Sequence, residues 1–208
     1  MIKLKICGLR REEDVLYVNK HLPDYIGFVF AESRRRVEPE LVENLGELLH
    51  PKIKRVGVFV NEEMDKVSQI AELCKLNVVQ LHGDESSQYF EKLKNRLSGI
   101  EVWKAIRVKD ENSIKCMLAY KADAFVLDAY VDGSYGGAGR TFDWNLAMEA
   151  KKNGNVILAG GLNLKNIKEA LGIVHPFAVD ISSGVETDGF KDEGKIKDFI
   201  YSVRGNVY

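Results

Sequence analysis

The chain has 208 residues, 45% of them hydrophobic and 29% charged, with a formal net charge of −1. That length suits one domain with a sizeable core, and the near-neutral balance gives no electrostatic argument for binding nucleic acid or an anionic membrane. No stretch approaches the ~20 apolar residues of a membrane span, no apolar leader opens the sequence, and Cys7, Cys74 and Cys116 lie far apart without paired spacing. A reducing compartment, the cytoplasm, is expected rather than a disulfide framework or a zinc site.

In chain order, one unit recurs: a short β-branched or aromatic run, a loop, then a helical pattern. The expected strands are "LKICG" (4–8), "YIGFVF" (25–30), "KRVGVFV" (54–60), "VVQLHG" (78–83), "VWKAIRV" (102–108), "AFVLDA" (124–129), "VILAGG" (156–161) and "FAVDISS" (177–183). Between them, stretches such as "EPELVENLGELL" (38–49) and "EEMDKVSQIAEL" (62–73) repeat apolar residues at helical spacing. Parallel neighbours need crossover helices, so the alternation predicts a parallel sheet. Eight such units close most simply into a (βα)8 TIM barrel, and no linker divides residues 1–208, which are expected to form a single domain. A doubly wound open sheet is the alternative, with edges left to protect.

Side chains alternate faces along a strand. In the first strand Leu4 and Ile6 oppose Lys3, Lys5 and Cys7; in the fourth, Val79 and Leu81 oppose Gln80 and His82. Phe125 and Leu127 oppose Val126 and Asp128; Phe177, Val179 and Ile181 oppose Ala178, Asp180 and Ser182; Lys104 opposes Trp103 and Ala105. One face is apolar, for a helix layer, and the other carries polar groups near the strand ends. In a barrel those groups converge on the mouth, where barrel enzymes place their chemistry. Singly, each has a plainer reading: an inert buried thiol, a helix-capping carboxylate, a structural histidine. Their convergence is harder to explain as packing.

After the seventh strand comes "AGGLNLKNI" (159–167) and after the eighth "SSGVETDG" (182–189). Glycines and small polar residues before a helix start let backbone N–H groups approach an anion, and loops seven and eight are the usual phosphate site of this architecture. A small phosphorylated molecule is the expected partner. The longest loop, "AYVDGSYGGAGRTFDW" (129–144), lacks the first glycine and the lysine of GxxxxGK[ST]. It reads as a cover closing over the mouth.

These residues resemble one family. "KICGLR", "GFVF" with "SRRRV", "VGVFVNE", "VQLHGDE", "YGGAGRTFDW", "LAGGLN" and "HPFAVDISSGVE" are similar, in order and spacing, to phosphoribosylanthranilate isomerases of tryptophan biosynthesis. The resemblance implies an Amadori rearrangement of N-(5-phosphoribosyl)anthranilate by general acid/base catalysis, without metal or organic cofactor, by a monomer or homodimer. It implies Cys7 as general base and Asp128 as general acid. It also implies substrate contacts from Asp180, from the backbones of Gly160, Gly161, Ser182, Ser183 and Gly184, and supporting contacts from Gln80 and His82. An arginine after the second strand would pair with the anthranilate carboxylate, where a planar fork suits a planar anion. Here Ser33 is followed by Arg34, Arg35 and Arg36; registering on Ser33 and Val37 selects Arg35, with Arg34 and Arg36 as substitutes. Arg140 stands where members of the family often carry lysine.

A free thiol ionises near pH ~8.5, so Cys7 needs a cationic neighbour, and parity offers Lys5. Two readings compete: another phosphosugar barrel enzyme, such as a metal-dependent epimerase or indole-glycerol-phosphate synthase, and a non-catalytic barrel that holds a phosphorylated ligand.

Overall fold

The β-branched and aromatic runs form eight strands: β1 (Lys3–Cys7), β2 (Tyr25–Val29), β3 (Lys54–Phe59), β4 (Val78–Leu81), β5 (Glu101–Val108), β6 (Ala124–Ala129), β7 (Val156–Leu158) and β8 (Ala178–Ile181). The helices are α1 (Glu12–His21), α2 (Pro39–Leu48), α3 (Met64–Leu73), α4 (Ser87–Arg96), α5 (Glu111–Lys115), α6 (Trp144–Ala150), α7 (Ile167–Val174) and α8 (Glu193–Arg204). They come from a computed structural model that describes residues 1–130 and 141–205. Most of the loop read as a cover, Arg140 included, lies outside the described residues. Polar caps mark several helix starts: Ser86 Oγ accepts from Tyr89 N at 3.2 Å and Asp192 Oδ1 from Lys195 N at 3.0 Å.

Each strand pairs in parallel with the next, and β8 returns to pair with β1, so the sheet closes and has no edge. The open doubly wound alternative is thereby removed. Alternation along each strand divides the core in two. Leu4, Ile6, Val79, Leu81, Phe125, Leu127, Val179 and Ile181 pack outward with the helices. Tyr25, Val56, Val78, Trp103, Ala124, Val126, Ile157 and Ala178 form a second cluster inside the barrel. Trp103 is its largest member, edge-on to Tyr25 with ring centroids 5.0 Å apart.

β5 corrects the expected pattern. Its interior residues are Trp103 and Ala105, while Lys104 shares the helix-facing side with Val102 and Ile106. The indole packs in the interior cluster, and its Nε1–H is satisfied by donating to Glu101 Oε2 at 3.0 Å. Lys104 is buried away from the mouth, its Nζ donating to Glu85 Oε2 at 3.0 Å and to the Gly83 carbonyl at 2.7 Å. The expected seventh and eighth strands also run too long. Their last residues, 159–161 and 182–183, belong to the loops that shape the mouth.

A further β-hairpin follows β8: β9 (Glu186–Thr187) and β10 (Phe190–Lys191), joined by Asp188 and Gly189. Both linking residues take positive φ, 51° and 81°, the twist that a two-residue turn needs. Trp103→Ala should leave the interior cluster with a cavity and lower the unfolding free energy by about 3–5 kcal/mol in urea titrations. A loss below about 1 kcal/mol would show that the barrel floor does not depend on this ring.

Candidate active site

Parallel strands point all their C-terminal ends one way, and there a cavity of about 560 Å³ opens. That volume suits a small organic phosphate. Its lining includes Cys7 from β1, Gln80 and His82 from β4 and the residue after it, Asp128 from β6 and Asp180 from β8. Arg35, Gly160, Gly161, Ser182 and Ser183 enter from the loops. Arg34 and Arg36, the substitutes for Arg35, are absent from the lining, and so is Gly184. It sits in a 3-10 turn (Ser183–Val185), where a Cβ would meet the Leu162 carbonyl at 2.3 Å. Its role is to let the loops after β7 and β8 approach.

Cys7 stands opposite Gly27 in the β1–β2 register, and a Cβ on Gly27 would lie 2.7 Å from the Cys7 sulfur. The glycine makes room for the thiol. Lys5, one turn of the pleat below, is fully buried and donates to Asp180 Oδ2 at 2.6 Å across the β1–β8 seam. Burial pushes the Cys7 thiol above its ordinary value; the Lys5 ammonium pulls it back, Asp180 raises it again and Lys191 lowers it. Lys5 is thus the cationic neighbour that parity suggests, but burial outweighs it. Burial alone would lower Lys5, but Asp180 and Cys7 together more than compensate, leaving the ammonium held above its ordinary value.

Opposite, Asp128 Oδ1 accepts from the Ala129 N–H at 2.8 Å, and Oδ2 lies 3.3 Å from His82 Nε2. That contact is near enough for charge but not aligned as a hydrogen bond, so Nε2 has no bonded partner. Gln80 Nε2 is 2.9 Å from His82 Nδ1. With Gln80 as donor, the ring proton sits on Nε2, facing Asp128. Two buried oxygens, Gln80 Oε1 and Asp180 Oδ1, have no partner among the described residues, which suits them to accept from ligand hydroxyls. After β7, Asn163 and Asn166 each donate to the Gly161 carbonyl at 2.9 Å, fixing the glycine loop.

Of the three consecutive arginines, only Arg35 lines the cavity. Arg34 and Arg36 are exposed, and Arg36 pairs with Glu38 at 3.2 Å. Arg35 forms a two-point bridge to Glu186, Nε to Oε1 at 2.7 Å and Nη2 to Oε2 at 2.9 Å. Glu186 also holds Lys191 at 2.9 Å, and Lys191 donates to the Ser182 carbonyl at 3.0 Å. Burial alone would raise the Glu186 carboxyl, but Arg35 and Lys191 hold it down at about 2. Glu186 and Lys191 were missed in the sequence. The available signal was Asp188-Gly189, a two-residue hairpin turn that sets Glu186 opposite Lys191. Among the described residues, no cluster of His, Cys, Asp and Glu could hold a metal ion.

Residues 4–202 match the family model described as N-(5'-phosphoribosyl)anthranilate (PRA) isomerase. A relative so named from Acetivibrio thermocellus is 54% identical over 210 residues, spanning 98% of this chain and 96% of its own. A structure of monomers of the dimeric phosphoribosylanthranilate isomerase from Thermotoga maritima superposes with a TM-score of 0.87 at 40% identity, covering 99% of this chain and 100% of that one. A phosphoribosylanthranilate isomerase in complex with reduced 1-(o-carboxyphenylamino)-1-deoxyribulose 5-phosphate has a TM-score of 0.87 at 38% identity, with the same coverage.

Alkylation of Cys7 in the ligand-free protein, followed by peptide mass analysis to separate it from exposed Cys116, should titrate above the ~8.5 of a free thiol. Lys5→Met should move the inflection higher still. An inflection well below ~8.5, or one that ignores the Lys5 change, would contradict the electrostatics described.

Proposed function

The chain belongs to the N-(5'-phosphoribosyl)anthranilate isomerase family, and we propose how its cavity carries out that family's reaction. The reaction is an aldose–ketose isomerisation in tryptophan biosynthesis, the Amadori rearrangement of the anthranilate-linked ribose phosphate. The observation that carries the residue assignment is the placement of Cys7 and Asp128 at the ends of β1 and β6, lining one cavity.

Asp128, as the carboxylic acid, donates its proton to the ribose ring oxygen. The C1–O bond breaks and the nitrogen lone pair forms a C1=N iminium. That cation withdraws electrons from C2 and adds a positive charge beside Cys7, favouring the thiolate that burial resists and Lys5 supports. Cys7 removes the C2 proton; the C–H electron pair forms C1=C2, and the iminium π electrons return to nitrogen. The resulting enolamine loses its hydroxyl proton and gains one at C1, which gives the ketone. Atoms balance without metal, organic cofactor or redox partner.

Binding follows from the same lining. Asp180 Oδ1 and Gln80 Oε1 accept from ribose hydroxyls, having no partner among the described residues. The backbones of Gly160, Gly161, Ser182 and Ser183 hold the phosphate, and Arg35 takes the anthranilate carboxylate. His82 keeps Asp128 oriented rather than carrying a proton itself. Near-neutral charge and three free cysteines support a cytoplasmic enzyme acting on a small phosphorylated molecule, as monomer or homodimer, rather than on nucleic acid or at a membrane.

Cys7→Ala and Asp128→Asn should each lower kcat by about 10²–10⁴-fold in an assay following loss of anthranilate-substrate fluorescence, with the thermal melt retained. Near-wild-type turnover in either variant would remove the assigned mechanism.

A further inference from the structure

Arg35 is fixed at both ends. Its aliphatic stem lies across Gly8, which has φ +84°, and where a Cβ would come 2.4 Å from Arg35 Cδ. Among the described residues its fork is engaged along one edge only, Nε and Nη2 to the two oxygens of Glu186. A guanidinium has five N–H donors, so the end formed by Nη1 and Nη2 stays available for a second carboxylate. Glu186 itself is held from three sides. Lys191 and Arg34 each bind it at 2.9 Å, and its side chain is only 5% exposed. The hairpin that carries it is tied to the loop after β2 by Arg10, which donates to the Gly189 carbonyl at 2.6 Å and to the Arg34 carbonyl at 2.7 Å. Phe190 lies beneath the Arg10 and Arg11 guanidiniums, 4.9 and 4.3 Å from its ring.

We propose that Glu186 is a positioning residue for carboxylate recognition: by occupying the side edge of Arg35 it directs the end of the fork to the aryl carboxylate of the substrate. This rests on the assignment of Arg35 to that carboxylate. The opposite role, a placeholder that the substrate displaces, would strand Lys191. That ammonium is buried and has Glu186 as its carboxylate partner, and an unpaired buried charge is costly. Glu186 therefore stays, and substrate adds to the assembly.

The test compares kcat/KM for the anthranilate substrate with that for the same ribosyl phosphate carrying aniline, which lacks the carboxylate. The preference of the wild type for the carboxylate is the readout. Glu186→Gln should reduce that preference by about tenfold, chiefly through a higher KM for the anthranilate substrate. Glu186→Asp keeps the charge for Lys191 but shortens the reach to Arg35, and should fall between the two; it also serves if the Gln variant does not fold. Equal losses on both substrates would mark a merely structural role, and a lower KM would mark a displaced placeholder; either overturns the proposal. Arg35→Ala separates the premise from the inference. If it leaves the preference intact, the carboxylate assignment fails. If it abolishes the preference while both Glu186 variants keep it, the positioning role alone fails.

Discussion

Alternation along a β-strand, imposed on eight parallel strands closed into a ring, is the constraint on which this molecule depends. Closure turns a two-faced sheet into an inside and an outside, and parallelism gives every strand the same polarity. The outward residues of β1, β4, β6 and β8 are Leu, Ile, Val and Phe, so the inward set at the upper ends is free to be polar. Cys7, Gln80, Asp128 and Asp180 meet there although they are far apart in sequence. A slip of one residue in any of these strands would exchange the cavity-lining polar groups for core residues.

The site is also an electrostatic composition. A buried ion pair is weak evidence for stability, since desolvation offsets much of the attraction. The Lys5–Asp180 pair makes better sense as equipment: it joins the first and last strands, places an ammonium beside the thiol, and leaves one carboxylate oxygen for a ligand. Glu186 gathers Arg35 and Lys191 in a similar way just outside the barrel. Burial holds the Cys7 thiol above its ordinary value even though Lys5 and Lys191 both act to lower it.

Much of this was legible in the sequence because period and parity are local. The strands of β1, β4, β6 and β8 could be assigned faces from two or three residues each, and Lys5 followed from the parity of Cys7. Lys104 is placed on the wrong face for a physical reason: Trp103 is apolar enough for either face, and only its tertiary packing against Tyr25 inside the barrel settles which. Glu186 and Lys191 escaped because their pairing runs through a hairpin whose glycine reads equally well as part of a phosphate loop. Gly184 shows the same ambiguity from the other side: close loop packing already requires a glycine there, whether or not its backbone also meets a ligand. Arg35 was separable from its neighbours by register but not by chemistry.

In the proposed reaction the sulfur of Cys7 takes a hydrogen from the ribose C2 after Asp128 has opened the ring. Single-turnover measurement with substrate deuterated at C2 addresses it most directly, since it reports bond cleavage at that carbon free of product release. A primary isotope effect on the wild-type single-turnover rate is expected. A rate indifferent to the label when ring opening is known to be fast would mean that no C2 proton is removed in the slow step, and would contradict the roles assigned across the cavity.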